Sequence, residues 1–581
     1  MPVQPARALS DLLARAALRL YGAEHGAVDP MVRRSKHGDL QANLAMGLGK
    51  RLGRAPRKIA EELAGGVEEN DLVAAIEVAG PGFLNVTLET SWLERAAGEA
   101  LASPRLAVPL ATTPDTVVID YSAPNVAKEM HVGHLRSTVI GDALARLLEF
   151  RGHTVLRQNH IGDWGTPFGM LIEHLDDLER VDPEAAARQV SLGDLGAFYR
   201  TAREKFDADP AFAERSRRRV VSLQAGDAAT TASWRRLVDL SRTYFEAVYA
   251  RLDVTLRAEH VRGESFYDPM LAPLADELLA CGRGVVSDGA VCVFPDGFTN
   301  KEGAPLPLIV RKADGGFGYA ATDLAAIRHR AGVLGATRIL YVVGAPQEQH
   351  LAMIFAAARA LGWLAGGRPT RVEHVAFGSV LGTDKRMFRS RSGDTVRLVD
   401  LVDEATDRAR AVVAEKAPDL DLAMREAVAR AVGVGSIKYA DLSSDRVKDY
   451  VFDLDRMVSF DGNTAGYLQY AHARIRSVFR RAGEGEAAGA IAIEDPAERA
   501  LVMDALDLGP TVESVDETLE PHRLAGYLYG LAGSFTTFYE RCPILKAEPR
   551  VRASRLALAE LTARTLETGL GLLGIAAPAR M

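Results

Sequence analysis

Two histidines and a glycine, His131, Gly133 and His134, stand where a polar loop gives way to a helical run in PNVAKEMHVGHLRSTVIGDALARLLEFRG. After them Leu135, Val139, Ala143, Leu144 and Leu147 recur at i, i+3 and i+4, which predicts a helix closed by Gly152. A helix N-terminus offers free backbone N–H groups and a partial positive charge, the features that receive a phosphate. Imidazoles placed there add directed hydrogen bonds to phosphate oxygens, and Gly133 lets a nucleotide approach the backbone closely. The competing reading is a chance H-x-G-H, since four-residue motifs recur without function. Its strand–loop–helix setting weighs against chance. Asp120 closes the apolar run TVVID, at the carboxyl end of a strand, where ligands bind in open α/β sheets.

The elements that must position these residues follow from periodicity. TVVIDYSA and HTVLRQNH read as strands flanking the helix, a β-loop-α-β unit and the first half of a Rossmann-like parallel sheet. Several helical stretches and a hairpin around GAVCVFPDG break the alternation from about 170 to 305, which predicts an insertion. Alternation returns with LPLIVRKADGGFGYAAT, the buried strand RILYVVG, the helix QEQHLAMIFAAARALG and the strand EHVAFGSVLG, ending near 382. Ahead of the sheet, an amphipathic helix and the strand-like AAIEVAGPGFLNVTL predict an α+β unit, set off by the Pro-rich ASPRLAVPLATTPD. Beyond about residue 400 the pattern is helical. The fold class is multidomain α/β, with expected units 1–108, 109–400 (insertion about 170–305), 401–460 as a helical stem and 461–581 as an all-α bundle.

A chain of 581 residues with 48% apolar, 25% charged and 7% aromatic residues is an ordinary globular composition. No run of about 18 uncharged apolar residues occurs, and Arg7, Asp11, Arg15 and Arg19 interrupt the first helix, so the expectation is a soluble cytoplasmic protein without a signal peptide. The three cysteines, Cys281, Cys292 and Cys542, form no C-x2-4-C pair and suggest neither disulfides nor a zinc site. A net charge of −7 argues against indiscriminate nucleic-acid coating, while local runs such as Arg215, Arg217, Arg218 and Arg219 only permit RNA contacts and read first as solvated helix faces.

DYSAPNVAKEMHVGHLRSTVIGDALARLLEFRGHTVLRQNHIGDWGTPFGML closely resembles the signature block of the arginyl-tRNA synthetases, with HVGH at the class I "HIGH" position. GDLQANLAM and VAGPGFLNVTL resemble that family's N-terminal tRNA-binding domain. GESFYDP, YAATDLA, SIKYADLSSDRVKDYVFD and GNTAGYLQYAHARIRS resemble its catalytic and stem segments, and EPHRLAGYLYGLAGSFTTFYERCPIL its anticodon-binding domain. The resemblance spans essentially the whole chain. It implies activation of L-arginine with ATP, in-line attack of the carboxylate on the α-phosphate, and transfer to a terminal ribose hydroxyl of arginine tRNA. Magnesium is expected to accompany ATP with no dedicated protein cage, and the family's default state is a monomer. Two readings from other classes are a tRNA-independent adenylate-forming ligase and a catalytically silent RNA-binding paralogue.

The resemblance assigns the arginine contacts to Asp120, Asn125, Tyr319, Asp323 and Gln347. A guanidinium presents five donors in a fixed fork, which carboxylates such as Asp120 and Asp323 accept in pairs. Asp323 has a second reading as the N-cap of the helix LAAIRHR, the commoner role for such a residue. ATP contacts fall to Lys128, His131, Gly133, His134 and Lys385. The family normally carries a K-M-S-K-S loop after the last strand, whose second lysine neutralises phosphate charge. Here the loop reads GTDKRMFRSRSGDT, with Ser390 at that lysine and Lys385, Arg386, Arg389 and Arg391 around it. Members lacking the loop lysine place one just before HIGH, where Lys128 stands. Lys128, His131, His134 and Arg389 are therefore the expected catalytic residues, with the bland alternative that Lys128 is a solvated lysine pairing with Glu129 or another carboxylate. Tyr527, Tyr529, Phe535, Phe538 and Tyr539 are candidates for stacking anticodon bases, at a spacing that also fits core packing.

Overall fold

Side chains alternate across the strand Thr116–Asp120: Val117 and Ile119 join one hydrophobic cluster and Val118 another. A strand covered on both faces belongs in a parallel sheet between helical layers. The computed structural model describes residues 4–181, 184, 195–386, 388, 396–483 and 489–581. In it this strand is interior to a four-stranded parallel sheet in the order Arg371–His374, Arg338–Tyr341, Thr116–Asp120, Thr154–Gln158. The chain leaves Thr116–Asp120 through the helix Val132–Phe150 to one side. It returns much later through the helix Tyr319–Gly332 to the strand on the other side. Asp120 lies in register with Tyr341 across that reversal, which is where an open sheet forms its ligand crevice.

The N-terminal unit is α+β: four antiparallel strands in the order Arg33–Arg34, Leu40–Ala42, Phe83–Leu88, Val73–Ala79, with the helices Pro5–Gly26, Leu44–Leu52 and Pro56–Gly66. Between the halves of the parallel sheet lie the helices Leu195–Ala208, Pro210–Gln224, Ala228–Arg251 and Glu264–Ala280. A small antiparallel sheet of Val285–Ser287, Ala290–Val293 and Leu308–Arg311 follows them. LPLIVRK does not resume the parallel sheet; Leu308–Arg311 pairs with Ala290–Val293, and YAAT opens a helix instead of forming a strand arm. An apolar run states that a strand forms, not which edge it joins. Similarly, EHVAFGSVLG is two strands: Arg371–His374 in the sheet, and Val380–Leu381, which pairs in parallel with Tyr450–Val451 inside the otherwise helical region.

The C-terminal helices Ala465–Ala482, Pro496–Leu506, Leu508–Thr518, His522–Arg541 and Pro549–Leu572 form the bundle. Phe535 and Phe538 are in its core, and the Tyr527 hydroxyl donates to the Asp504 carbonyl at 2.9 Å, so packing explains these three aromatics. Tyr529 remains exposed. The bundle meets the sheet at a buried junction opposite the crevice. There Asp516 accepts from Arg338 Nη1 (3.1 Å), Arg151 Nε (3.2 Å) and His153 Nε2 (3.1 Å), and its carbonyl accepts from Arg338 Nη2 (3.0 Å).

Candidate active site

His131 is the N-cap of the helix Val132–Phe150, and the first turn is closed by the two imidazoles themselves. His131 Nδ1 accepts from the Gly133 N–H at 3.0 Å, and His134 Nδ1 accepts from the His131 N–H at 3.1 Å. Each Nδ1 thus presents a lone pair, so in the neutral ring the proton resides on Nε2, the edge turned away from the accepted bond. Burial, reinforced by the neighbouring charge of Lys128, depresses the His131 pKa. Burial first, and then His131, push His134 down to about 3, so both rings are neutral donors near pH 7. A β-carbon on Gly133 would lie 2.7 Å from His131 Cε1, so the glycine is what lets the His131 ring fold onto the helix end.

The second lip, at the carboxyl end of the strand Thr116–Asp120, is made of carboxylates. Asp120 is 7% exposed and its Oδ2 accepts from Arg330 Nη2 at 2.7 Å, while Oδ1 is buried without a hydrogen-bond partner. Arg330, fully buried, also donates Nε to Gln158 Oε1 at 2.7 Å and lies 5.0 Å over the Tyr341 ring. A guanidinium of the protein's own therefore occupies half of the carboxylate expected to receive one. Asp323 is not an N-cap: the helix starts at Tyr319 behind Gly318, which places Asp323 in its second turn. Its Oδ2 accepts from His350 Nε2 at 2.6 Å, a bond that raises the His350 pKa. Glu264, at the start of Glu264–Ala280, is pushed up to about 7 by burial and by the charges of Asp163 and Asp323. Asp163 is itself raised by burial, although Ser265 donates to it through N–H (2.8 Å) and Oγ (2.7 Å).

Of the other expected residues, Asn125, Tyr319, Gln347, Lys128 and Lys385 are exposed, Tyr319 at 77%. Asn125 abuts Gly162, where any side chain would collide with its Oδ1. Gln347 occupies the N-cap position of the helix Glu348–Ala360 without a side-chain bond to it. Lys128 does not pair with Glu129, which faces Arg397 at 3.4 Å; its Nζ lies 4.6 Å from the centre of the Tyr199 ring. Lys385 sits at φ 59° in a turn where the Gly382 N–H donates to the Arg386 carbonyl at 2.8 Å. Arg389, Ser390 and Arg391 lie outside the described residues. The residues of this region that sequence reasoning did not single out are His160, stacked on Tyr267 with ring centroids 5.4 Å apart, and Asp163, Glu264, Arg330 and His350. The first three stand within QNHIGDWG and GESFYDP, motifs visible in the sequence. Arg330 lies in IRHR, which reads as a solvated basic run.

Three family models match the chain: tRNA synthetases class I (R), catalytic domain, at residues 98–454; DALR anticodon binding domain at 468–581; and Arginyl tRNA synthetase N terminal domain at 7–88. The arginine–tRNA ligase of Thermobifida fusca (strain YX) is 54% identical over 564 residues, covering 97% of each chain. That of Frankia casuarinae is 51% identical over 579 residues, covering 98% of each. Among solved structures, the arginyl-tRNA synthetase from Plasmodium falciparum superposes with a TM-score of 0.84 at 27% identity, covering 99% of each chain. The Thermus thermophilus arginyl-tRNA synthetase gives 0.81 at 28%, covering 99% of this chain and 100% of that one.

Proposed function

This chain belongs to the arginyl-tRNA synthetase family of class I, and from that premise we propose how its own residues divide the ligation of arginine to tRNA. The chain activates L-arginine with ATP and transfers the arginyl group to tRNA. A tRNA-independent ligase and a silent RNA-binding paralogue are both disfavoured by ligase relatives that match from end to end and by the anticodon-binding match at 468–581.

One observation carries the residue assignment: two neutral imidazoles, their Nδ1 atoms tied to backbone N–H groups, share the C-terminal end of the sheet with an under-neutralised set of carboxylates. The Nε2–H edges of His131 and His134 donate to phosphate oxygens, and the exposed backbone at Gly133 lets the triphosphate approach. Lys128 and Lys385 add cationic charge where negative charge develops as pyrophosphate departs. Little covalent chemistry is asked of the protein, so positioning and charge stabilisation account for the rate. Asp323, Asp120 through its free Oδ1, and Glu264 receive the cationic side chain of arginine. Asn125, Gln347 and Tyr319 orient its α-amino and carboxylate end or the adenylate. Magnesium would arrive on the triphosphate, held by phosphate oxygens, and neutralise part of their charge. We assign the units 1–108, 109–400 with the insertion at about 170–305, 401–460 and 461–581 to tRNA docking, catalysis, the stem and the anticodon; the catalytic-domain match, 98–454, runs through both the second and the third. We place the enzyme in the cytoplasm, where ATP and tRNA meet; among the described residues no helix is long and apolar enough to cross a membrane. We take it as a monomer, which sedimentation at micromolar concentration would settle.

The testing experiment is exchange of labelled pyrophosphate into ATP. Exchange should require arginine, increase with arginine tRNA and fail with lysine. Equal exchange with lysine would overturn the arginine-site assignment.

A further inference from the structure

Between Asp120 and His131 the chain passes through three left-handed non-glycine residues, Ser122 (φ 74°), Ala123 (46°) and Ala127 (58°). Such residues keep this conformation only where neighbours hold them. The Ser122 N–H donates to Ser137 Oγ (2.9 Å) and the Ala123 N–H to Asn159 Oδ1 (3.0 Å). The Ala127 N–H donates to Ser241 Oγ (2.9 Å), and Ser122 Oγ meets the Tyr249 hydroxyl at 2.8 Å. Ser241 and Tyr249 belong to the inserted helix Ala228–Arg251. Lys128 follows Ala127 directly, and its ammonium rests on the ring of Tyr199 from another inserted helix, Leu195–Ala208.

We propose that Tyr199 is a positioning residue for Lys128: its ring face holds the ammonium beside the phosphate cradle, so the inserted helices set where that charge stands. The inference rests on the assignment of Lys128 to the reacting phosphates. A lysine on an exposed loop otherwise samples many rotamers of a four-carbon stem, with the carboxylate of Glu129 next to it as a competing partner. An aromatic face attracts an ammonium without neutralising it, so the charge stays available to a phosphate. The cradle lies within reach of that charge: Lys128 stands three residues ahead of His131, and its charge adds to burial in depressing both His131 and His134. Glu129 is drawn away by Arg397, and a side chain at Gly196 would lie 2.8 Å from Glu129 Oε2, so the same inserted helix crowds that carboxylate.

The test is single-turnover adenylate formation by the full chain with ATP, arginine and tRNA. Tyr199→Leu should slow it about 10-fold, the scale of a partly desolvated cation–π contact. Tyr199→Gln, also ringless, should match it, and Tyr199→Phe should stay within about twofold of wild type because the ring face is kept. The KM for arginine should not move. In a Lys128→Ala background, Tyr199→Leu should cost nothing more. Wild-type rates for Tyr199→Leu alongside a slow Lys128→Ala would overturn the Tyr199 inference alone. So would additive losses in the double variant, or a Phe variant as slow as Leu. A Lys128→Ala enzyme at wild-type rate would remove the Lys128 assignment and this inference together.

Discussion

The two lips of the crevice are built on opposite electrostatic plans. On the lip assigned to phosphate, the Nδ1 atoms of His131 and His134 are tied to backbone N–H groups of the first helical turn, which fixes both rings with their Nε2 edges left over, and burial keeps both rings neutral. On the lip assigned to arginine, Asp120 Oδ1 and Arg330 Nη1 are both buried without a hydrogen bond, and Glu264 is raised to about 7 by burial and by the two nearby aspartates. The difference matches what each lip is proposed to receive. A phosphate that gains charge only during reaction is best met by fixed dipoles that need not reorganise. A ligand that brings a full cation is met by negative charge that only the ligand neutralises.

Breaking the arginine lip should have the largest effect. Asp323→Asn is expected to lower kcat/KM for arginine by about 10³-fold, the range for truncating one partner of a buried charge pair, with KM for ATP changed only slightly. Asp120→Asn separates bracing from binding. It leaves Arg330 buried beside a neutral partner, so a lower melting midpoint should accompany the lost activity. A variant as stable as wild type would mean that the pair is no brace. On the phosphate lip, Lys128→Ala should slow adenylate formation by about 10²-fold with arginine binding nearly unchanged. A loss within a few-fold would move that role to Lys385 or Arg389.

Acidity sharpens the contrast. A cationic substrate binds ionised Glu264 better than protonated Glu264, and the free-enzyme carboxyl sits near 7, so arginine affinity should rise with pH through neutrality. From pH 6 to pH 8 calorimetry should find a gain of up to about 10-fold with proton release on binding, both lost in Glu264→Gln. His134 gives the opposite limb and the smallest effect. Its folded pKa, about 3, lies below that of the unfolded chain, so protons favour unfolding as pH drops below about 6.5 towards 3. Between pH 7 and pH 5 the melting midpoint should fall by about a degree or two more in the wild type than in His134→Asn. Equal slopes would show that the ring does not stay neutral.

Periodicity placed the helix after HVGH, the strands TVVID, HTVLRQ and RILY, and the helical C-terminus, because each pattern reports burial of its own faces. It misassigned LPLIVRK, since edge choice is decided by partners far away in the chain. The histidine cradle was legible because its residues are consecutive. The carboxylate lip was half legible: Asp120 by strand position, Asp323 by family likeness. Glu264 and Asp163 were not picked out, because their proximity to Asp323 depends on three elements converging from residues 163, 264 and 323. Arg330 was hidden by a general bias, that a basic residue in a helix is taken as solvated until a structure buries it.

Arg338 opens a central strand, is 1% exposed, and has Asp516 of the C-terminal bundle and Glu373 as its counter-charges. Dissecting the molecule into pieces therefore removes more than a binding surface. A fragment ending near residue 460 would uncover the underside of the sheet and strip Arg338, Arg151 and His153 of the carboxylate they share, the situation in which an orphaned interior charge destabilises most. Failure of such a fragment to tell one tRNA from another would report a damaged catalytic unit, not absent anticodon contacts. The anticodon surface has to be mapped by single substitutions at exposed positions such as Tyr529 in the intact chain.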